Sequence, residues 1–596
     1  MQKSLAESDG AGIRPQWHLV AVCFTTLFLA AGADVCCGGT ADTFARGAFV
    51  AGPYPTGPFT FVNNAVGAGI FYNSGFFGGS TVVGNVEAGY VWDGHSVFDR
   101  SGLGLGPAVE RKVAGTGVAG AYDFHATMVG HVLAGTGYVA ATGSSAAGYS
   151  YVGAGMAPLA KLWSGAIATR FSTDVNSIGS FDTTPQSTIP VYRQFFQGIG
   201  GTSCDVINSS FGSSDPAALE DESVAIDALA FQRPNVTFVA AAGNDGAGAA
   251  SAPGDGYNGI TVGSVGGANF RTPSSFSSRG AVDFYNPATN TMLAGVRAAV
   301  DVAAPGEDDF LAAYLGPTGG LGPFPQYTQN PSPTDRYFTN MDGTSFASPT
   351  VAGGVALMKD AAKGLSFVPG TALDSRVVKA VLMATSAPSD GWTNGQATVG
   401  GVLRTTQSLD YATGAGVIDL AAAGLTYVNG ATMDVAGTSG GVIGSSGWDL
   451  GSIGVGGHVD YSFAAPLTTS NELQVALNWF ADGAFDAGSD TGSRSAFANL
   501  DLQVWRVVNG SFATLVAEST STYNNAEFLR FLLPAAGDYG LRVTLPAMVY
   551  DVGATPVTAE AYGLSWTQII VPEPSSVMAL VASAGMAVLV LRRRHS

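Results

Sequence analysis

The sequence predicts an α/β fold built on a parallel sheet, followed by a smaller all-β domain, and three observations carry that reading. With 596 residues the chain exceeds what one ordinary domain holds. From about Val82 to Leu420 short apolar runs alternate with helix-like runs, the rhythm of βαβ units. Beyond about position 457 apolar residues alternate with polar or small ones at period two, the mark of half-buried antiparallel strands.

The elements follow in order. Val206-Ile207-Asn208, Val236 to Ala240 and Ile260-Thr261-Val262 read as buried strands, too short for helices and bounded by Gly, Asp or Asn. Between the first two, over 216–231, Leu219, Val224, Ile226 and Leu229 fall near helical spacing, and Arg233-Pro234 stops the run. Asp374 ahead of Val377, Val378, Val381 and Leu382 predicts another amphipathic helix. In the C-terminal part Leu473, Val475, Leu477 and Trp479 alternate, as do Leu500, Leu502 and Val504, then 528–532, then Leu541 and Val543. The Gly- and Ser-rich stretch from Gly437 to Gly457 reads as the boundary between the two rhythms.

Composition excludes whole classes of function. A chain with 46% hydrophobic and 10% aromatic residues builds real cores, so disorder throughout is ruled out. A formal charge of -19 repels a phosphate backbone, so no nucleic-acid partner is expected. Cys23, Cys36, Cys37 and Cys204 are too few and too unevenly placed for a disulfide framework or a paired CxxC zinc site.

Both ends read as addresses. Lys3 and Arg14 precede an apolar run from Leu19 to Ala31, interrupted by Thr25 and Thr26 and closed by small residues, the layout of a secretory signal cleaved after Ala33. A first membrane helix, the competing reading, needs ~20 apolar residues. At the other end Val571-Pro572-Glu573-Pro574 leads into the uncharged segment 577–591 and then Arg592-Arg593-Arg594. This order resembles the PEP-CTERM sorting signal of Gram-negative bacteria. The resemblance implies an exosortase-type sorting enzyme as partner and delivery to the cell surface or extracellular matrix, with membrane contact only through that segment before processing. A plain tail anchor is the alternative.

Chemistry is narrowed by histidine. Of six, His18 and His595 lie in the end segments and His458 in the all-β part, which leaves His95, His125 and His131. The strongest run is Met341 to Gly354, MDGTSFASPTVAGG. Glycine before Ser345 lets backbone approach a substrate, and the small residues after it suit a helix packed on a sheet. Ser345 then stands at a helix N-terminus, where free N–H groups favour developing negative charge.

The run resembles the nucleophile motif of the subtilisin-like serine peptidases, and other segments match that family in order. Phe124 to Gly130 is similar to its histidine motif, with Ala126 where glycine is usual; His125 would open a helix over Val129, Val132 and Leu133. His131, six residues on, reads as structural. Val239 to Gly246 resembles the oxyanion motif, placing Asn244 at the carboxyl edge of a parallel strand. Ile207 to Gly212 resembles the edge segment that pairs with substrate, which implicates Ser210, Phe211 and Gly212, and with Ala241 and Gly243 suggests an open pocket for an apolar side chain. Ala157-Pro158-Leu159-Ala160, Ser275 to Gly280, Asp301 to Gly306 and Gly414 to Asp419 match too, so the resemblance runs from about Asn63 to Ala423.

The departure is at the acid. The family expects aspartate after a hydrophobic strand; here Val82 to Gly89 reads VVGNVEAG, with Glu87 in that place. Glutamate also orients histidine in serine hydrolases of another fold. Asp93 is the rival and Asp123 a weaker one. The sedolisins, which share the fold but use a Glu-Asp pair one helical turn apart, do not fit, since Val91 stands four residues after Glu87.

The resemblance therefore implies Glu87, His125 and Ser345 as a triad, an oxyanion site from Asn244 and the Ser345 N–H, protein or peptide substrates, and no required cofactor. The β part resembles the jelly-roll domain of some bacterial members. Its Asp482, Asp486, Asp490 and Asp501 could hold calcium or be solvated turns. The expected divisions are a leader at 1–33, an extension at 34–62, short for a folding propeptide, a subtilisin-like three-layer domain at 63–428, a linker at 429–456, a β-sandwich at 457–568 and the sorting signal at 571–596. Two functions compete: a secreted, surface-sorted serine endopeptidase, or a catalytically inactive scaffold acting in adhesion, motivated by Glu87, Ala126 and the tail.

Overall fold

A computed structural model describes residues 50–51, 60–136, 154–172, 179–215, 217–316, 336–430 and 440–570. The leader, the sorting tail, most of the extension, Pro216 and positions 431–439 of the linker lie outside the described residues.

The N-terminal part runs through β1 (Val82–Glu87), β2 (Val109–Ala114), α1 (Phe124–Ala134), β3 (Lys161–Ala166), α2 (Pro185–Gln197), β4 (Val206–Ser209), α3 (Asp221–Gln232), β5 (Thr237–Ala241), β6 (Ile260–Gly266), β7 (Thr272–Pro273) and β8 (Val302–Pro305). These strands form one eight-stranded sheet in the order β7-β6-β5-β4-β1-β3-β2, with β8 beside β6. Every pairing is parallel except β6 with β7. α4 (Thr344–Gly364) and α5 (Ser375–Thr385) follow.

The sheet is the middle of three layers, and strand alternation shows it. Val83, Val206 and Val239 face the core that holds Val129, Val351 and Val355 of α1 and α4. Val86, Ile207, Phe238 and Ala240 face the opposite core, with Phe195 and Leu229 of α2 and α3. Burial on both faces is why these strands read as unbroken apolar runs. α3 starts at Asp221, so Leu219 lies ahead of it and is 41% exposed; Asp221 and Glu222 in the first turn suit the positive end of the helix dipole. α5 starts where Asp374 predicts, with that carboxylate accepting from Arg376 N–H (2.9 Å).

The C-terminal part is a sandwich of two sheets. After β9 (Ala397–Val399), β10 (Val402–Thr405) and α6 (Leu420–Asn429) come β11 (Gly441–Ile443), β12 (Gly447–Gly454), β13 (His458–Phe463), β14 (Asn471–Trp479), β15 (Asp482–Asp486), β16 (Thr491–Val508), β17 (Ser511–Ser519), β18 (Ala526–Leu532), β19 (Tyr539–Asp551) and β20 (Ala559–Ile570). One sheet has the order β9-β10-β17-β16-β19-β13-β11 with β15 beside β16, the other β12-β20-β14-β18. Leu473, Val475, Leu477 and Trp479 of the second sheet meet Leu500, Leu502, Val504 and Leu541 of the first in one core.

Three expectations change here. The supposed linker is partly strand: Gly447–Gly454 pairs antiparallel with β20 along its whole length, because ladder partners distant in sequence override a Gly- and Ser-rich composition. The β9-β10 hairpin, expected in the first domain, joins the sandwich through parallel pairing of Leu403 with Ala517. The strand β14 is buried on both faces, not half-buried. Ala476 packs into the α/β core, and Asn478 donates to Arg376 O (2.8 Å) on α5.

Candidate active site

Glu87 is the last residue of β1, a central strand, so its side chain emerges at the carboxyl edge of the sheet where parallel α/β sheets bind ligands. Its carboxylate is 1% exposed and divided between two partners. Oε2 lies 2.9 Å from His125 Nδ1, and Oε1 accepts from the Ser210 N–H at 3.0 Å. The chain turns away at once: a Cβ on Gly89 would stand 2.5 Å from Ala121 O and 2.8 Å from Asp123 Cβ, so only glycine lets the strand exit pass under the start of α1.

His125 is the second residue of α1. Asp123 caps that helix, accepting from Ala126 N–H at 3.0 Å, and Thr127 Oγ1 donates to Asp123 O at 2.7 Å. Burial pushes the Asp123 carboxyl up to about 6, against the charge of His125. The imidazole itself is held above its ordinary range. Burial opposes its protonated form, but the charge and hydrogen bond of Glu87, aided by Asp123, outweigh it. The rival acid is committed elsewhere: Asp93 bonds Lys112 Nζ at 2.9 Å. His131 is fully buried and its Nδ1 accepts from Ala312 N–H (3.0 Å), and His95 Nε2 lies 2.7 Å from Arg336 O.

Ser345 sits in the first turn of α4, whose leading N–H groups have no partner within the helix. Its hydroxyl donates to Ser210 O at 3.0 Å. The Ser210 backbone therefore bridges Glu87 and Ser345, its N–H on the carboxylate and its carbonyl on the hydroxyl. The Ser210 hydroxyl accepts from Asn208 Nδ2 at 3.0 Å, and Asn208 Oδ1 accepts from Ser348 at 2.7 Å, which ties the edge segment to α4.

Asn244 is exposed just beyond β5. Its Oδ1 accepts from both Thr344 N–H and Thr344 Oγ1 at 3.0 Å. Those two donors fix which end of the amide is oxygen, and so direct the Nδ2 donors away from Thr344. Thr344 Oγ1 also accepts from Gly243 N–H at 3.2 Å. Thr344 is the residue that sequence reasoning left without a role, although it stands directly before Ser345. Gly243 has φ +102°, and a Cβ there would meet Ser251 Oγ at 2.5 Å; at Gly212 it would meet Ser251 Cβ at 2.6 Å. Ala241 ends β5 and is buried, while the Phe211 ring packs edge-on to Phe181 at 5.8 Å.

The four acids of the calcium reading do not form a ligand set. Asp482 is pushed up to about 6 by burial, against Arg376; Asp486 accepts from Gly488 N–H (2.8 Å); Asp490 pairs with Arg193 (2.6 Å); Asp501 accepts from Thr544 Oγ1 (3.3 Å). Among the described residues no group of three or more His, Cys, Asp or Glu could hold a metal ion, and no helix is long and apolar enough to cross a membrane.

No curated protein sequence matches the chain. Solved structures with similarity include the prenylagaramide maturation protease PagA, 19% identical, with a TM-score of 0.37 and a match covering 58% of this chain and 92% of that one. A protease structure from Pseudoalteromonas arctica is 20% identical, with a TM-score of 0.36 and a match covering 59% of this chain and 91% of that one. The family model of the Subtilase family matches residues 109–436, a stretch holding His125, Asn244 and Ser345 but starting after Glu87. That stretch is more than half of the chain, and the protein belongs to the Subtilase family, the subtilisin-like serine peptidases.

Proposed function

We propose that the protein is a secreted serine endopeptidase that cleaves peptide bonds through an acyl-enzyme on Ser345. The observation that carries this reading is the 2.9 Å contact between Glu87 Oε2 and His125 Nδ1, with Glu87 fixed from its other side by Ser210 N–H. An imidazole held at Nδ1 keeps its Nε2 available as a base. The Ser345 hydroxyl turns from Ser210 O to the ring, His125 takes its proton, and the oxygen attacks the substrate carbonyl. Glu87 stabilises the imidazolium that results. The Asn244 Nδ2 and the Ser345 N–H donate to the oxyanion, and His125 returns its proton to the leaving amine. In this reading the longer glutamate takes the place of the family's aspartate, and its 2.9 Å contact with His125 supports that.

The leader at 1–33 and the tail at 571–596 support export, then sorting by an exosortase to the surface or matrix of a Gram-negative cell. Retention at the surface of a chain ending before Val571 would sink that part.

A fluorophosphonate tests the chemistry. The wild-type chain is expected to label at Ser345 and Ser345→Ala is not. If the two label equally, the inactive scaffold stands, a reading favoured by the engagement of the Ser345 hydroxyl with Ser210 O.

A further inference from the structure

Ser251 and Ala252 form a wall behind the strand ends assigned to substrate. Ser251 N–H donates to Ala242 O at 3.0 Å, and Ala252 and Ser213 exchange backbone hydrogen bonds of 2.8 and 3.0 Å. The same segment ends at Tyr257 and Asn258, and there its partners come from the sandwich. Asn525 Nδ2 donates to Tyr257 O at 2.7 Å and to Trp479 O at 2.8 Å. The Asn258 amide donates to Ala481 O (2.8 Å) and accepts from Ala481 N–H (2.7 Å), as a neighbouring strand would.

A second tie passes through Asp227 on α3. Its Oδ1 accepts from Tyr257 and Asn258 N–H at 2.9 and 2.8 Å, while Oδ2 takes Arg494 Nε and Nη2 at 2.8 and 2.6 Å. The Tyr257 ring lies 5.2 Å from Phe497 and under the Arg494 guanidinium at 4.8 Å. Asn258, Asp227 and Asn525 are all buried. A buried amide or carboxylate left unpaired is costly, so these ties leave the segment one place to sit.

We infer that Asn525 and Arg494 are positioning residues for the substrate-side wall 251–258, Asn525 acting through Tyr257 and Arg494 through Asp227. The inference rests on the peptidase reading. It makes the sandwich part of the specificity apparatus. Elsewhere the sandwich meets the α/β layer without touching this wall, as in the partly exposed Arg193–Asp490 ion pair at 2.6 Å.

The test uses the full chain with Asn525→Ala, Arg494→Gln and, as control, Arg193→Ala. Losing one positioning hydrogen bond is expected to raise KM for a peptide substrate by a factor of about 2 to 10, with kcat within about twofold. Fluorophosphonate labelling of Ser345 should stay at the wild-type rate, because the reagent places no side chain against the wall. Arg193→Ala should leave KM alone and move Tm only slightly, because that pair is about a third exposed. The inference is overturned if Asn525→Ala and Arg494→Gln lower Tm without raising KM, if Arg193→Ala raises KM equally, or if neither of the first two folds. Should Asn525→Ala alone fail to fold, Arg494→Gln decides. Should the wild type fail to label, the peptidase reading falls separately. Amide exchange at Ser251, Tyr257 and Asn258 then decides the positioning claim, quickening in the first two variants and not in the third if it holds.

Discussion

Glu87 at the edge of the parallel sheet and Glu527 inside the sandwich are two buried glutamates built alike. Glu87 is 1% and Glu527 0% exposed. Each accepts one backbone N–H, from Ser210 at 3.0 Å and from Ser521 at 2.6 Å, and each spends its other oxygen on a side chain. The difference is what that side chain can do. Glu87 holds a titratable ring whose side chain is 27% exposed, whereas Glu527 holds the buried hydroxyl of Ser519. Burial of a carboxylate is therefore no mark of a site. What sets Glu87 apart is a second partner that titrates and is partly open to solvent.

The largest effect expected, on the proposed function, is at Ser345. Ser345→Ala should lower peptide hydrolysis on the order of 10⁶-fold, since removing the nucleophile removes the covalent path, while the fold persists. Equal turnover by the variant, measured on a fluorogenic peptide, would place the chemistry elsewhere. Next comes Glu87→Gln, with a loss of about 10³- to 10⁴-fold in kcat. Its pH signature is specific. Glu87 raises the His125 pKa, so the wild-type base is protonated up to a higher pH than an ordinary histidine. The acid limb of kcat/KM in the free enzyme should move to lower pH when the charge is removed. Asp93→Ala should change activity less than about threefold, because a pair as exposed as Asp93–Lys112 contributes little. Comparable losses in both variants would break the assignment of the acid.

The contrast between the two glutamates was only half legible in the sequence. Ser345, His125 and Asn244 each stand in a contiguous run whose neighbours serve the same local geometry, so short segments reveal them. Glu87 against Asp93 is a question of which carboxylate the end of β1 presents to a ring on α1, and that depends on the passage of Gly89 beneath Asp123, which no short segment contains. The sandwich was harder for the same reason. Gly447–Gly454 looks like linker until its partner more than a hundred residues later is known. The polar positions of β14 look solvent-facing until Gln474 is found bonded to Arg530 at 3.0 Å and Asn478 to α5. The role of Thr344 was hidden because a threonine next to a nucleophile has no signature apart from the amide it holds.

Asn244→Ala should cost about 10²- to 10³-fold in kcat with KM little changed, the magnitude known for the oxyanion asparagine of subtilisin and carried over here. The variant sharpens the comparison because Asn244, like Glu87, is anchored on one side by the fold, through Thr344, and turned on the other toward what the fold lacks. A rise in KM with kcat unchanged would make Asn244 a ground-state contact instead.

The smallest effect on activity belongs to Glu527→Gln, which should leave kcat/KM unchanged and show itself only in stability. Burial pushes the Glu527 carboxyl well above its ordinary value, against its bonds from Ser519 and Ser521. Folding then takes up a proton at this group over the pH range between about 4.3, the value in an unfolded chain, and the raised folded value. In that window the folded state binds more protons than the unfolded one, so this contribution to stability falls as pH rises, by at most about 1.4 kcal/mol per pH unit. Glutamine cannot titrate, so urea unfolding followed from pH 5 upward should lose that part of the slope in the variant, while other buried carboxylates act equally in both proteins. Identical slopes would mean that Glu527 folds ionised, and burial at that position would then leave no mark on the pH dependence of stability.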